Sequence, residues 1–330
     1  MAVIARRLFV CLACVAFSVA LAPNRLCAEL PNPEGDKPDS RDDPPALAEQ
    51  KQVAAGDRET APNAPPQSSN GASAVKNELA RQAANPAAPL TQLQLRNIML
   101  PNVSDTDGIT NLFQIQPVIP IGPFDWFHRQ QIIRFTFQVP TLPAPVNASG
   151  FGDLDLFDLI TFKTSWGHLG VGPILVFPTA ASDALGAGKY QAGPAVAVIY
   201  ARGKVTAGAI LQNPISFAGD PDRPAVDQLI VAPTLTISLS KGWFAGLSDF
   251  NWTFDWTDNG AALVPLGMQV GKIVTLGKQP VNLSFEIGRM AARPAGTPDP
   301  GWIVGFELSP LFNWHLGPGK KITLRGKTAG

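Results

Sequence analysis

Six charged residues stand where polar side chains alternate with large apolar ones: Arg96, Arg134, Lys163, Asp255, Glu286 and Glu307. Around Arg134, one parity carries Ile133, Phe135, Phe137 and Val139, and the other Ile132, Arg134, Thr136 and Gln138. Asn282, Ser284 and Glu286 alternate with Val281, Leu283, Phe285 and Ile287, and Glu307 stands between Phe306 and Leu308. Asn251, Thr253 and Asp255 alternate with Phe250, Trp252, Phe254 and Trp256. A period of two marks strands, whose successive side chains point to opposite faces. If such strands close into a tube, mixed charges on the inner face have two possible uses. They border a constriction that selects solutes, or they pair into a network that fills the barrel.

Catalytic chemistry finds less support. The chain has three histidines, His128, His168 and His315. The first two fall in expected turns and the third in the C-terminal tail, and none shares a strand end with a Ser/Asp pair. There is no HExxH, and Gly186-Ala187-Gly188-Lys189 lacks the spacing of a phosphate loop. Cys11, Cys14 and Cys27 all fall inside an expected signal peptide, so the processed chain offers no thiol nucleophile or thiolate metal ligand. The expectation is a protein that is not an enzyme, with no cofactor and no metal site. A formal net charge of zero and the lack of a basic stripe argue against nucleic acid as a partner.

The elements that must position these charges are strands. Trp302–Phe312 alternates Trp302, Val304, Phe306 and Leu308 with Gly305, Glu307 and Ser309. Trp302, Phe306 and Phe312 are expected to supply the aromatic signal read by the barrel-assembly machinery. Twelve candidates follow the same habit, at 92–100, 111–119, 130–140, 153–165, 168–178, 190–201, 205–216, 227–239, 243–257, 262–273, 280–291 and 302–312. Their lengths approach the ~9–11 residues a tilted membrane strand needs. Tight turns such as Trp166-Gly167, Arg202-Gly203-Lys204 and Ser240-Lys241-Gly242 alternate with long loops, as in outer-membrane barrels. The connections 120–129 and 258–261 fit that alternation less well. Lys and Arg gather in the short turns and Asp in the long loops. That acidic rim either shares divalent cations with lipopolysaccharide or is simply solvated.

Residues 154–162 and 171–177 are apolar on both faces, which suits a greasy pocket or contact with a plug or a partner. A large soluble β-sandwich or barrel is the alternative that periodicity leaves open. The N-terminus favours the membrane, because Arg6 and Arg7 precede an apolar run, Leu8–Ala22, that is short for a helical span. The expected organisation is therefore a signal peptide (1–28), a disordered Pro/Ala-rich periplasmic leader (29–89), an antiparallel transmembrane β-barrel of about twelve strands (90–312) and a basic tail (313–330). Within the leader, 76–84 has the composition of a short helix.

Several blocks also carry a resemblance. They include Phe113-Gln114-Ile115-Gln116-Pro117-Val118-Ile119-Pro120, Gly170-Val171-Gly172-Pro173, Leu185-Gly186-Ala187-Gly188-Lys189-Tyr190-Gln191-Ala192-Gly193-Pro194 and Gly277-Lys278-Gln279-Pro280-Val281-Asn282. Together they resemble a bacterial outer-membrane family labelled as transporters, often misnamed neuromedin U. That family is similar to the barrels associated with the meta-cleavage phenol-degradation pathway. The resemblance implies a Gram-negative outer-membrane barrel for uptake of small molecules, aromatic or hydrophobic compounds among them. It supplies no catalytic residues. A non-transporting structural or adhesive barrel, or an outer-membrane enzyme, are the competing classes.

Overall fold

The computed structural model describes residues 69–104, 108–295 and 297–312. The expected signal peptide, the leader before Ser69 and the basic tail lie outside the described residues. One helix, α1 (Ser69–Ala83), precedes β1 (Thr91–Leu100), β2 (Thr110–Ile121), β3 (Gln130–Leu142), the short β4 (Ala148–Ser149) and β5 (Leu154–Lys163). Then come β6 (Gly167–Phe177), β7 (Lys189–Arg202), β8 (Val205–Gln212), β9 (Ile215–Gly219) and β10 (Gln228–Ser238). The chain continues through β11 (Trp243–Leu247), β12 (Trp252–Asp255), β13 (Ala261–Leu276), β14 (Gln279–Ala292) and β15 (Trp302–Phe312).

Neighbours in sequence pair antiparallel, and β15 returns to pair with β1, closing the sheet. With β8/β9 and β11/β12 each counted as one interrupted strand, and β4 as an appendage of β3, the barrel has twelve strands. Closure removes every exposed edge, so the backbone hydrogen bonds are satisfied within the wall.

The alternation sorts the two faces as the sequence predicts. In β15, Trp302, Phe306 and Leu308 are 46%, 47% and 40% exposed, while Ile303, Glu307 and Ser309 are 4%, 9% and 0% exposed. The outer face is thus apolar and uncovered, continuing through Leu235 and Ile237 of β10, Met268 and Val270 of β13 and Leu283 and Ile287 of β14. Charged groups on this face near the rims lie against rings: Lys272 over Trp243 and Arg289 over Trp302. Asp158 is the exception, because its pairing with Ile133 puts it on the outer side of β5. Among the described residues, no helix is long and apolar enough to cross a membrane.

Residues 69–89, expected to belong to the unstructured leader, are ordered as a helix and a packed connection. Ala-rich composition favours helix here, and Val75, Leu79 and Ala83, spaced by four, place one stripe on one side. That stripe, with Ala80, packs on Phe244, Ile273 and Leu311 at the short-turn end of the barrel. Glu78 pairs with Arg81 at 2.7 Å on the polar side. Pro86 stops the helix, and the Asn85 side chain accepts a hydrogen bond from the Ala87 amide, which turns the chain into the lumen. Ala87 then joins a cluster on the inner wall of β5–β8: Phe157, Leu159, Ile174, Val176, Ala195, Ala197, Ile199 and Ile210. Of the uses expected for these apolar inner faces, a greasy pocket or contact with a plug or partner, the structure shows contact with Ala87 of the same chain's segment 69–90.

Candidate functional site

The lumen charges gather on the opposite wall. In β1, β14 and β15 the register sets Arg96 beside Glu307, Glu307 beside Ser284 and Glu286 beside Gly305. Direct partners across a ladder share a face, so these side chains converge inside. Gly305 matters here, since an added Cβ would lie 3.2 Å from both Cβ and Oε2 of Glu286. Without it, Glu286 folds over the strand. Arg96 donates to Glu286 Oε2 at 2.8 Å, and the two side chains are 11% and 1% exposed. Glu307 Oε1 accepts from Asn282 Nδ2 at 3.2 Å and from Ser309 Oγ at 2.6 Å.

A third carboxylate comes from a break in the wall. Thr236 pairs with Gly246 and Val231 with Trp252, so residues 247–251 face only 232–235. The extra residue forms a bulge that re-aims side chains. Asp249 turns into the lumen and accepts from Gln269 Nε2 at 3.1 Å. Phe250 turns inward too, buried beneath the Arg96 guanidinium at 5.9 Å. This corrects the expectation that Phe250 shares the outer face with Trp252 and Phe254. The alternation was read backward across residues 248–251, where the bulge shifts the parity by one.

Arg134 belongs to the same chamber but to its other side. It lies over the Phe157 ring at 4.2 Å. With Arg96, Asp249 and Glu307 it lines a central cavity of about 100 Å³, whose other side is formed by Ala83, Ala84 and Pro86 of the plug. Asp155 of β5 holds Gln138 Nε2 at 3.0 Å. Toward the long loops lies a cavity of about 210 Å³ lined by Ile98, Leu100, Leu112, Phe250, Pro265 and Ile303. Arg96, Gln114 and Asn251 are its common wall with the central cavity. A further cavity of about 260 Å³ near the same rim carries Gln138, Gln191, Gln212 and Gln228 beside Asp153 and Asp155.

The remaining candidates lie apart. Lys163 ends β5 and lines a mouth of about 610 Å³ at the short-turn rim, shared with Arg81, His128, Arg129 and His168. There Asn85 Nδ2 donates to His168 Nδ1 at 3.1 Å, tying plug to wall. Asp255 ends β12 at the tight turn before β13, where its Oδ1 accepts from the Thr257 amide and hydroxyl at 2.8 and 2.6 Å. It shapes a turn and does not join the Arg96 cluster. Trp302 and Phe306 face outward, and Phe312 ends β15 opposite Thr91.

Sequence reasoning missed Asp249 and Asp155. The doublet Ser248-Asp249 interrupts an otherwise regular alternation and was the available signal for the bulge. Asp153 and Asp155, two apart at the head of β5, were hidden by the apolar run that follows them. No protein-family model and no curated protein matches the chain.

Proposed function

We propose that this chain is an outer-membrane barrel of the transporter-like family it resembles, passing small molecules through a lumen that its own residues 69–90 hold closed. The observation that carries the reading is the pairing of an apolar, uncovered outer wall with a lumen occupied by a short packed segment. A soluble barrel would not leave so continuous an apolar belt facing solvent, whereas lipid covers it at no cost. In this reading the short turns face the periplasm and the long loops face outside. Both ends of the described chain then lie on the periplasmic side, where the barrel-assembly machinery and the N-terminal leader meet the barrel. Lipid and lipopolysaccharide surround the wall and the acidic loop rim.

The chamber toward the loops supports a preference for aromatic or hydrophobic solutes. Its aliphatic and phenyl lining borders an open space of about 210 Å³, wide enough for a small aromatic ring. Arg96 and Asn251 at its floor offer polar contacts to a ring substituent. No catalytic role is assigned to His128 or His168, whose surroundings are a solvated mouth.

A filled structural or adhesive barrel is the second reading, favoured by the tight packing of Glu286 and Ser309 in the wall. Liposome swelling separates the two. Proteoliposomes with a chain lacking residues 69–89 are expected to swell in small aromatic alcohols faster than full-length ones do. Equal, background swelling of both would overturn the passage reading and leave the filled barrel.

A further inference from the structure

We infer that Asp249, Glu286 and Glu307 form a site for one calcium-like divalent cation inside the barrel, beside Arg96. The three acids come from the bulge, β14 and β15, so no short sequence motif announces them. Each offers one carboxylate oxygen, and these oxygens lie within 4.8 Å of one another. Arg96 hydrogen-bonds Glu286. Three ionised carboxylates against Arg96, with Arg134 across the chamber, leave a net negative charge that a bound cation offsets.

Unpartnered oxygens around the cluster point the same way. Glu286 is 1% exposed, yet its Oε1 has no hydrogen-bond partner. Asn282, 6% exposed, donates to Glu307 through Nδ2 and leaves Oδ1 without a partner. Ser248, next to Asp249 and 2% exposed, has an unpartnered Oγ. Buried acceptors are normally satisfied, and a bound ion would satisfy the free Glu286 oxygen.

The donor set is all oxygen, which suits a hard cation. Calcium accepts several protein oxygens in flexible geometry, whereas magnesium holds on to its waters and seldom takes an all-protein set, so three converging carboxylates favour calcium. Asp249 and Glu307 line the central cavity, so an ion reaches them from lumen water without opening the wall. The inference is independent of whether the barrel passes solutes.

The test is calorimetric titration of the full chain, folded in detergent and stripped with EGTA, with calcium chloride. Thermal unfolding is followed in parallel by loss of the compact band on unboiled gels. One calcium per chain is expected, with a raised unfolding temperature and weaker binding of magnesium. Asp249→Asn should bind at least tenfold more weakly, while Asp222→Asn, in an exposed loop, should bind as wild type does. Should Asp249→Asn not assemble, Glu307→Gln, which keeps an acceptor for Ser309, serves the same comparison. No heat and no shift in the wild type would overturn the inference. So would unchanged affinity in the cluster variants, or stabilisation by acid alone, which would mean protons neutralise the cluster.

Discussion

The two walls of the lumen are built on opposite plans. On the β5–β8 side, Phe157, Leu159, Ile174, Ala197, Ile199 and Ile210 form an apolar inner surface that Ala87 of the plug covers. On the β1, β14 and β15 side, Arg96, Glu286, Glu307, Asn282 and Ser309 form a polar surface tied across strands by the Arg96–Glu286 pair and the bond from Asn282 to Glu307. The first wall needs a partner, because apolar surface facing lumen water is unfavourable in proportion to its area. The second is polar and remains compatible with water or a bound ion.

Variants that break each wall should differ in kind. Removing a charge from the polar wall carries the largest expected penalty. Arg96→Gln leaves Glu286 buried without its cation, a loss of ~3–5 kcal/mol, measured as reduced urea stability of the assembled barrel in lipid. Asp255→Asn, at the loop rim, should change that stability little. In the apolar wall, Leu159→Ala creates a cavity in the cluster that Ala87 caps, a loss of ~2–5 kcal/mol. The same truncation should loosen the plug, read as faster proteolysis within residues 69–90. Unchanged proteolysis would mean that the plug does not depend on this wall.

On the outside of the barrel, Phe306→Arg sets a charge against lipid at a cost of ~2–4 kcal/mol near the midplane. The compact band on unboiled gels should fall sharply, while Glu307→Gln, one residue away and inward, should leave it near normal. Equal effects would mean a register shifted by one residue, which exchanges the two faces. The smallest expected effect is at the polar ties. Asn77 Oδ1 accepts the Gly242 amide at 2.7 Å, and the turn there passes through the left-handed region (Gly242 φ +81) that favours glycine. Asn77→Ala should cost ~0.5–1.5 kcal/mol, visible as easier plug proteolysis with an unchanged barrel.

Much of this was legible before the structure. The twelve strand ranges fall on the observed wall, and 302–312 coincides with β15, because a period of two over ten residues is a strong local signal. The faces followed wherever one parity carried a charge, as at Arg134, Glu286 and Glu307. What stayed hidden depends on contacts remote in sequence. The bulge at 247–251 keeps amphipathic alternation on both sides, so the shift of parity at Asp249 and Phe250 is marked only by the doublet Ser248-Asp249, which reads equally well as a turn. The plug looked like a linker because Ala and Pro dominate it. Its few apolar groups, Val75, Leu79 and Ala87, gain order only against Phe244, Ile273 and the β5–β8 wall. The gathering of Arg96, Glu286, Glu307 and Asp249 required the barrel to close between β1 and β15.

The claim on which the account turns is that residues 69–90 close a lumen that would otherwise conduct. Single-channel recording in planar bilayers compares the full chain with one lacking residues 69–89, both shown to be assembled by their compact band. The expected result is a silent full-length barrel and a deletion with steady conductance, whose ion selectivity shifts toward cations in Arg134→Ala. Equal conductance in both, or silence in both, would contradict it.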